Sequence, residues 1–293
     1  MRSIGARSIA GVMPRMGEAT RKLSKTKGLL QAHRWCIYCG ATATTTDHCP
    51  PRSFFKGRHW PDTYEYPACE PCNRSARLDE QALATLIRAD ALEGAKDSER
   101  LEWERLATGV RNNQPHLVVE WESISRNQIK HSLRLAYGRD GDLRRQRGWG
   151  AIHIGPLTHA VIERFMIKLS KALYYRHNEK IFDGVLYIHH INRLSVDTTP
   201  EYLKSIYYMA PVLPEIKRNG KSLFDQFVYR FNHSPEHRVM YAVVQFGQQW
   251  IFQLIAVSRE MDTQIIAASH EKGETGPLPF RHECFLSENA IPH

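Results

Sequence analysis

Two pairs of cysteines with the spacing Cys-x-x-Cys constrain this chain more than any other feature. The first pair is Cys36 and Cys39, and the second is Cys69 and Cys72. Each pair closes a tight turn that can direct two thiolates at one ion, and two such turns complete a tetrahedral four-sulfur site. Such a site most often holds zinc, in a structural role because four thiolates leave no open coordination position. The spacing therefore predicts a small unit near the N-terminus that is stapled by Zn2+.

A disulfide framework, a redox dithiol and an iron–sulfur cluster are the alternatives to a zinc site. Disulfides belong to an oxidising compartment, and the first residues contain no apolar run typical of a secretory signal peptide. A redox dithiol would use one pair rather than two. An iron–sulfur cluster also takes four cysteines and stays open as an alternative. The remaining cysteines, Cys49 and Cys284, are interpreted as a loop thiol and a packed core thiol.

The segment between the cysteine pairs contains groups that are suited to chemistry. Thr44–Thr46 favour a short strand, which the two following prolines end. Asp47 and His48 then lie at the end of this strand and point to opposite faces. Asn73 follows the second pair and precedes a run with helical periodicity, so we expect it at or just before a helix start. The predicted order is strand, loop, strand, helix.

These segments resemble the zinc-stapled HNH endonucleases of bacteria and phages, whose fold is the ββα-metal finger. The matching stretches are Asp-His-Cys-Pro-Pro-Arg-Ser-Phe-Phe from Asp47 and Cys-Glu-Pro-Cys-Asn from Cys69. In that family the histidine after the aspartate is the general base, which implies this role for His48. The aspartate and the last residue of the motif hold a divalent cation, which implies that Asp47 and Asn73 bind Mg2+ or Mn2+. The family's middle asparagine has no counterpart here, and Tyr64 stands near its position.

The same residue types suit hydrolysis of a phosphodiester bond. A histidine can accept the proton of an attacking water near neutral pH. A hard cation held by a carboxylate and an amide oxygen can stabilise the phosphate oxygens. The sequence thus favours a metal-dependent endonuclease, with DNA as the expected substrate. The alternative is a zinc-ribbon module that binds nucleic acid or a protein partner as a regulator or adaptor without cleavage, and the absent middle asparagine favours it.

The positive charge of the chain is concentrated near its N-terminus. Residues 1 to 60 carry eleven Lys/Arg and two acidic residues, so they account for the whole formal charge of +9. A polyanion is the partner that such a charge distribution attracts. The expected contacts to nucleic acid are basic side chains of the predicted finger and its helix: Arg52, Lys56, Arg58, Arg74 and Arg77.

Composition and periodicity, together with the family resemblance, predict an α+β fold with four segments. These are a basic arm (1–31), the zinc-stapled HNH nuclease domain (32–95), a helical and basic connecting region (96–150) and a C-terminal α+β domain with an antiparallel sheet (151–293). The last would choose the target, dock a protein partner or restrain the nuclease. No apolar stretch is long enough to cross a membrane. The resemblance to bacterial and phage HNH proteins implies a cytoplasmic protein of a bacterial defence system or mobile element.

Several elements can be predicted individually. Apolar stripes predict helices over 78–92 and 157–177, and Asp97 with Ser98 is expected to begin another. Residues 239–246 and 250–257 are expected to form an antiparallel hairpin. The β-branched run at 117–121 predicts a short strand. The Gly- and Arg-rich residues 137–150 are interpreted as a loop and a domain boundary.

Overall fold

The computed structural model describes residues 26–89, 92, 94–146, 150–192, 198–271 and 280–284, and the predicted basic arm lies mostly outside these ranges. The described residues form an α+β protein with antiparallel sheets. Residues 26–32 are helical and are called α1. In the described ranges, no helix is both long enough and apolar enough to span a bilayer.

The N-terminal unit confirms the predicted order of elements. Strand β1 (Thr45–His48) pairs antiparallel with β2 (Glu65–Ala68), and two 3-10 turns, Arg52–Phe54 and Lys56–Arg58, lie in the connection between them. Helices α2 (Glu70–Ser75) and α3 (Arg77–Ala89) follow. The predicted helix start at Asn73 is wrong by about one turn. A proline in the first turn suits an earlier start, so α2 begins before Asn73 and contains it.

Four helices connect this unit to the rest of the chain: α4 (Asp97–Asn113), α5 (Pro115–Glu122), α6 (Arg126–Tyr137) and α7 (Asp140–Gln146). The strand predicted at 117–121 is wrong, because Leu117 and Trp121, four residues apart, form one buried face of α5. The loop predicted at 137–150 contains α7, in which acidic residues in the first turn and arginines in the last complement the helix dipole. Residues 147–149 of that prediction lie outside the described residues.

A long helix and a five-stranded antiparallel sheet make up the C-terminal half. Helix α8 (Pro156–Asn178) confirms the helix predicted there, and β7 with β8 confirms the predicted hairpin. The sheet has the order β6-β7-β8-β3-β9. Its strands are β3 (Gly184–Asn192), β6 (Phe227–Ser234), β7 (Val239–Phe246), β8 (Trp250–Val257) and β9 (Phe280–Cys284). Two helices, α9 (Pro200–Tyr208) and α10 (Arg259–Glu271), and a small hairpin also belong to this half. The hairpin consists of β4 (Lys217–Arg218) and β5 (Lys221–Ser222).

The two faces of the sheet carry different neighbours. One face packs against α8 and the N-terminal unit, and the other is covered by α9 and α10. The ring of Phe54 lies 5.0 Å from that of Phe165 and 5.2 Å from that of Phe246, measured between centroids. A single cluster of buried side chains therefore extends from the N-terminal unit to the last strand, across the predicted boundary at residue 150.

Candidate functional site

The four predicted zinc ligands lie together. The sulfur atoms of Cys36, Cys39, Cys69 and Cys72 are all within 4.8 Å of one another, and the Cys39 and Cys69 sulfurs are 3.6 Å apart. Zinc–sulfur bonds of about 2.3 Å in a tetrahedron give sulfur–sulfur edges of about 3.8 Å. The residues therefore fit a structural zinc ion in both number and spacing.

Backbone geometry explains how the first cysteine pair is presented. The amide of Gly40 donates to the carbonyl of Cys36 at 2.8 Å, and the amide of Cys36 donates to the carbonyl of Ala41 at 2.7 Å. Gly40 has φ of 78°, which is unfavourable for residues with a Cβ. The glycine that follows the pair thus closes the turn that directs both sulfurs inward.

The protonation of the cluster is uneven when the thiols interact only with each other. A hydrogen bond from the Cys72 thiol lowers the pKa of Cys36 to about 5. Burial raises the pKa of Cys39 to about 11. Zinc is ligated by thiolates, so binding of zinc would release the protons that the cluster still carries.

Strand β1 presents Asp47 and His48 to different surroundings, as the alternation of a strand requires. The Asp47 carboxylate is buried, where it accepts a hydrogen bond from the Tyr38 hydroxyl at 2.7 Å and contacts the ammonium group of Lys168 at 2.8 Å. Lys168 comes from α8 and also contacts the carboxylate of Glu80, on α3, at 2.5 Å. One buried ammonium group therefore joins two carboxylates from two separate elements of the N-terminal unit.

Burial and charge act in opposite directions on this triad. Burial raises the pKa of Glu80 to about 7, although Lys168 opposes the shift. Burial alone would lower the pKa of Lys168, but the carboxylates of Asp47 and Glu80 outweigh it and raise that pKa. Glu80 therefore changes between its neutral and charged forms near neutral pH. This brings the total charge of Asp47, Glu80 and Lys168 closer to zero.

Replacing Lys168 by alanine is expected to lower the free energy of unfolding by about 3–5 kcal/mol, because two buried carboxyl groups lose their counter-ion. The matched control is Arg164→Ala, on the same helix. Arg164 forms a two-point ion pair with Asp79 at 2.7 and 2.8 Å, but 57% of its side chain is exposed, so we expect a loss below about 1 kcal/mol. Denaturant unfolding measures both, and equal losses would contradict the importance assigned to the buried ammonium group.

His48 faces a cationic and aromatic group. Its Nε2 contacts the guanidinium of Arg52, and its Nδ1 lies 3.9 Å from a carboxylate oxygen of Glu65, its partner in the strand register. The imidazole centroid is 5.0 Å from that of Trp60. A guanidinium group has donors and no acceptor, so Nε2 is the acceptor nitrogen and the ring proton is on Nδ1. This is the tautomer in which Nε2 can take up a proton.

Asn73 is held against β1. Its Nδ2 donates to Oγ1 of Thr45 at 2.7 Å and to the carbonyl of Thr46 at 3.1 Å. These bonds join α2 to the strand that carries Asp47 and His48. They use only the nitrogen of this carboxamide, and its oxygen is an atom of the kind that binds hard cations.

The predicted site for a divalent cation does not fit the arrangement of these side chains. The ammonium group of Lys168 contacts the Asp47 oxygen that also accepts the Tyr38 hydroxyl, so the charge of this carboxylate is already compensated. Asn73 contributes no charge. A hard dication needs anionic oxygen ligands that are not neutralised by another cation. Asp47 and Asn73 therefore form no open cation site while Lys168 is in place.

Tyr64, at the position of the family's middle asparagine, anchors the loop in another way. The amide of Cys49 donates to the Tyr64 carbonyl at 3.3 Å, which closes the segment between the strands. The side chain is buried, its hydroxyl donates to that of Tyr229 at 3.2 Å, and the guanidinium of Arg176 lies 4.0 Å from the ring centroid. The C-terminal half thus helps to fix the loop between the two strands.

The predicted nucleic-acid contacts fall into two groups. Arg52 and Lys56 are half-buried and Arg58 is exposed on the loop beside His48, whereas Arg74 and Arg77 are exposed on α2 and α3. Arg74 also forms an exposed ion pair with Glu70. Burial, together with the positive charges of Arg58 and Arg218, lowers the pKa of Arg52. The loop therefore gathers several cations next to the imidazole.

Two residues beside the predicted site residues were not found from the sequence. Lys168 lies in α8, which is predicted from its apolar residues alone, without a role for its charged ones. Arg218 belongs to the β4–β5 hairpin. The signal for that hairpin is Asn219-Gly220, the pair preferred in tight hairpin turns, between basic residues. Even so, nothing in the sequence indicates that the hairpin contacts the loop beside His48.

We found no match to the chain among protein-family models, curated proteins or solved structures. The function is therefore inferred from the geometry of the residues described above.

Proposed function

We propose that the chain is an HNH-type endonuclease that hydrolyses phosphodiester bonds of nucleic acid, with DNA as the expected substrate. The observation that supports this most is the placement of His48. It lies at the end of a strand in a strand–strand–helix unit tied to a four-cysteine cluster, with a basic nitrogen facing an arginine. An imidazole beside cationic donors is the arrangement that hydrolysis of a phosphate ester uses.

In the proposed reaction, Nε2 of His48 accepts a proton from a water molecule whose oxygen attacks phosphorus. The bond from phosphorus to the leaving oxygen breaks, and solvent returns a proton to that oxygen. Arg52 would move from Nε2 to the phosphate, which frees the nitrogen and places a positive charge where negative charge develops. A bound Mg2+ or Mn2+ would add charge stabilisation, and its proposed ligands Asp47 and Asn73 require Lys168 to leave Asp47.

The test of this proposal is incubation of zinc-loaded protein with supercoiled plasmid, with Mg2+, with Mn2+ or with neither. Nicked or linear plasmid that requires the added cation supports the endonuclease. Withholding the cation is preferable to chelation, because a chelator would also remove structural zinc. Zinc content is measured before and after incubation, so that loss of the cluster is not mistaken for dependence on the second metal.

A second candidate is a zinc module that binds nucleic acid or a protein partner without cleavage, as a regulator or adaptor. The contact between Lys168 and Asp47 favours it, because a compensated carboxylate is a weak ligand for a dication. Plasmid that is retarded in a gel but stays intact under all metal conditions supports this candidate. The C-terminal half of the chain would then be the expected place for a protein partner.

A further inference from the structure

Two arginines from distant parts of the chain stack on the indole ring of Trp60. The guanidinium carbon of Arg52 is 3.8 Å from the indole centroid, and that of Arg218 is 4.0 Å from it. Stacking of a guanidinium on an aromatic ring fixes its plane while leaving its N–H groups directed outward at the edge. The indole thus gathers two guanidinium groups next to His48, whose ring is 5.0 Å from that of Trp60.

The same three side chains carry donors without acceptors. Among the residues that the structure describes, Nε of Arg52, Nε of Arg218 and Nε1 of Trp60 are buried and have no hydrogen-bond partner. Buried N–H groups are nearly always paired in folded proteins, so three around one ring require an explanation. All three are donors, so donors outnumber acceptors around this ring, and an oxyanion is the ligand whose chemistry matches such an excess.

Arg218 is held at this position by its hairpin. The turn residues Asn219 and Gly220 have φ of 49° and 78°, as a tight hairpin turn requires. Asp62 fastens the hairpin to the loop that carries Arg52: its amide donates to the Lys217 carbonyl at 2.9 Å, and its carboxylate accepts from the Asn219 amide at 2.8 Å and from Nη1 of Arg218 at 2.9 Å. The C-terminal half therefore places a cation against the loop that follows His48.

Nearby carboxylates do not accept hydrogen bonds from all the donors of Arg52, Trp60 and Arg218. Asp62 takes one N–H of Arg218, and the negative charge of Glu65 acts on Arg52. Arg58 adds a further positive charge to the surroundings of Arg52. Three arginines thus share this end of the unit with two acidic residues, which leaves a net attraction for an anion.

We infer that Arg218 and Arg52, both stacked on Trp60, bind one phosphodiester group of a nucleic acid beside His48. The inference rests on the proposed function, because it assigns a substrate contact to the same site. It also names a contact that lies in the β4–β5 hairpin, outside the segment with Cys-x-x-Cys pairs. The hairpin thereby acts as a positioning element for the substrate backbone.

The test compares Arg218→Ala with Arg218→Lys and with Arg259→Ala. Arg259, on α10, is exposed and paired with Asp183, so its removal changes the net charge equally at another place. Each change is made in the His48→Ala background without added divalent cation, and binding of a fluorescein-labelled DNA duplex is followed by anisotropy over a range of salt concentrations. We expect Arg218→Ala to raise Kd about tenfold and to reduce the slope of log K against log salt by about one.

The control variants separate charge from geometry. Arg218→Lys retains the charge but loses the planar fork, so an intermediate Kd is expected. Thermal unfolding shows whether loss of the Asp62 contact disturbs the fold, and Arg218→Lys keeps the inference testable if Arg218→Ala does not fold. A DNA affinity and salt slope equal to those of Arg259→Ala would overturn the inference. So would equal competition by inorganic phosphate with and without Arg218.

This binding assay is independent of cleavage. If Arg218→Ala weakens binding while the parent protein cuts no plasmid under any metal condition, the phosphate site stands and the proposed hydrolysis fails. If the parent cuts plasmid and Arg218→Ala binds DNA as Arg259→Ala does, the endonuclease stands and this site fails.

Discussion

Replacing Cys36 by serine is expected to abolish stoichiometric zinc binding and to destabilise the N-terminal unit by several kcal/mol. Structural zinc in finger peptides contributes about 10–16 kcal/mol of apparent binding free energy, which is also folding free energy. Cys36 is fully buried, and its sulfur is one of four that lie within 4.8 Å of one another. Metal analysis after gel filtration should fall from about one zinc ion per chain to less than about a tenth.

The matched control is Cys284→Ser, which changes a buried thiol of β9 outside the cluster. It should keep its zinc while losing some stability through the cost of burying a hydroxyl group. Full zinc occupancy in Cys36→Ser would contradict the assignment of the ligands. Iron in place of zinc in the parent protein would support the iron–sulfur alternative instead.

Replacing His48 by alanine is expected to reduce plasmid cleavage by about 10²–10⁴-fold, the contribution typical of a positioned general base. The change removes the nitrogen that faces Arg52 and leaves the four sulfurs untouched. Zinc content should therefore match that of the parent. Initial rates of nicking, measured at saturating Mg2+ or Mn2+, give the comparison.

His59→Ala is the control for this prediction, because His59 is exposed in the same loop. It should cut plasmid at the parental rate within about twofold, since a solvated imidazole away from the phosphate takes no part in the proton transfer. Cleavage by His48→Ala at the parental rate would refute the role of His48. Loss of zinc from that variant would show instead that the histidine supports the fold.

Local patterns were sufficient to predict much of the fold. The cysteine spacing indicated the cluster, and the apolar stripe of α8 and the hairpin of β7 and β8 followed from periodicity. The error at α5 has a physical cause. Val118 and Val119 raise strand propensity, but the spacing of Leu117 and Trp121 buries one helical face, and tertiary packing overrides the local preference.

Contacts between distant segments could not be predicted in this way. The carbonyl of Tyr38 accepts from Lys171 across 133 positions, and Asp62 accepts from Arg218 across 156. No periodicity within one segment specifies which partner a charged side chain will meet. The charge compensation of Asp47 and the second cation on Trp60 are both features of this kind, and both change how the candidate site is interpreted.

Helix α8 touches the N-terminal unit along its length, through Arg164, Lys168, Lys171, Tyr175 and Arg176. A fragment that ended near residue 95 would lose all of these partners. Its buried carboxylates would lose their cationic partners and its core aromatic rings would be exposed to solvent, even with zinc bound. These contacts indicate that the N-terminal unit depends on the C-terminal half for part of its stability.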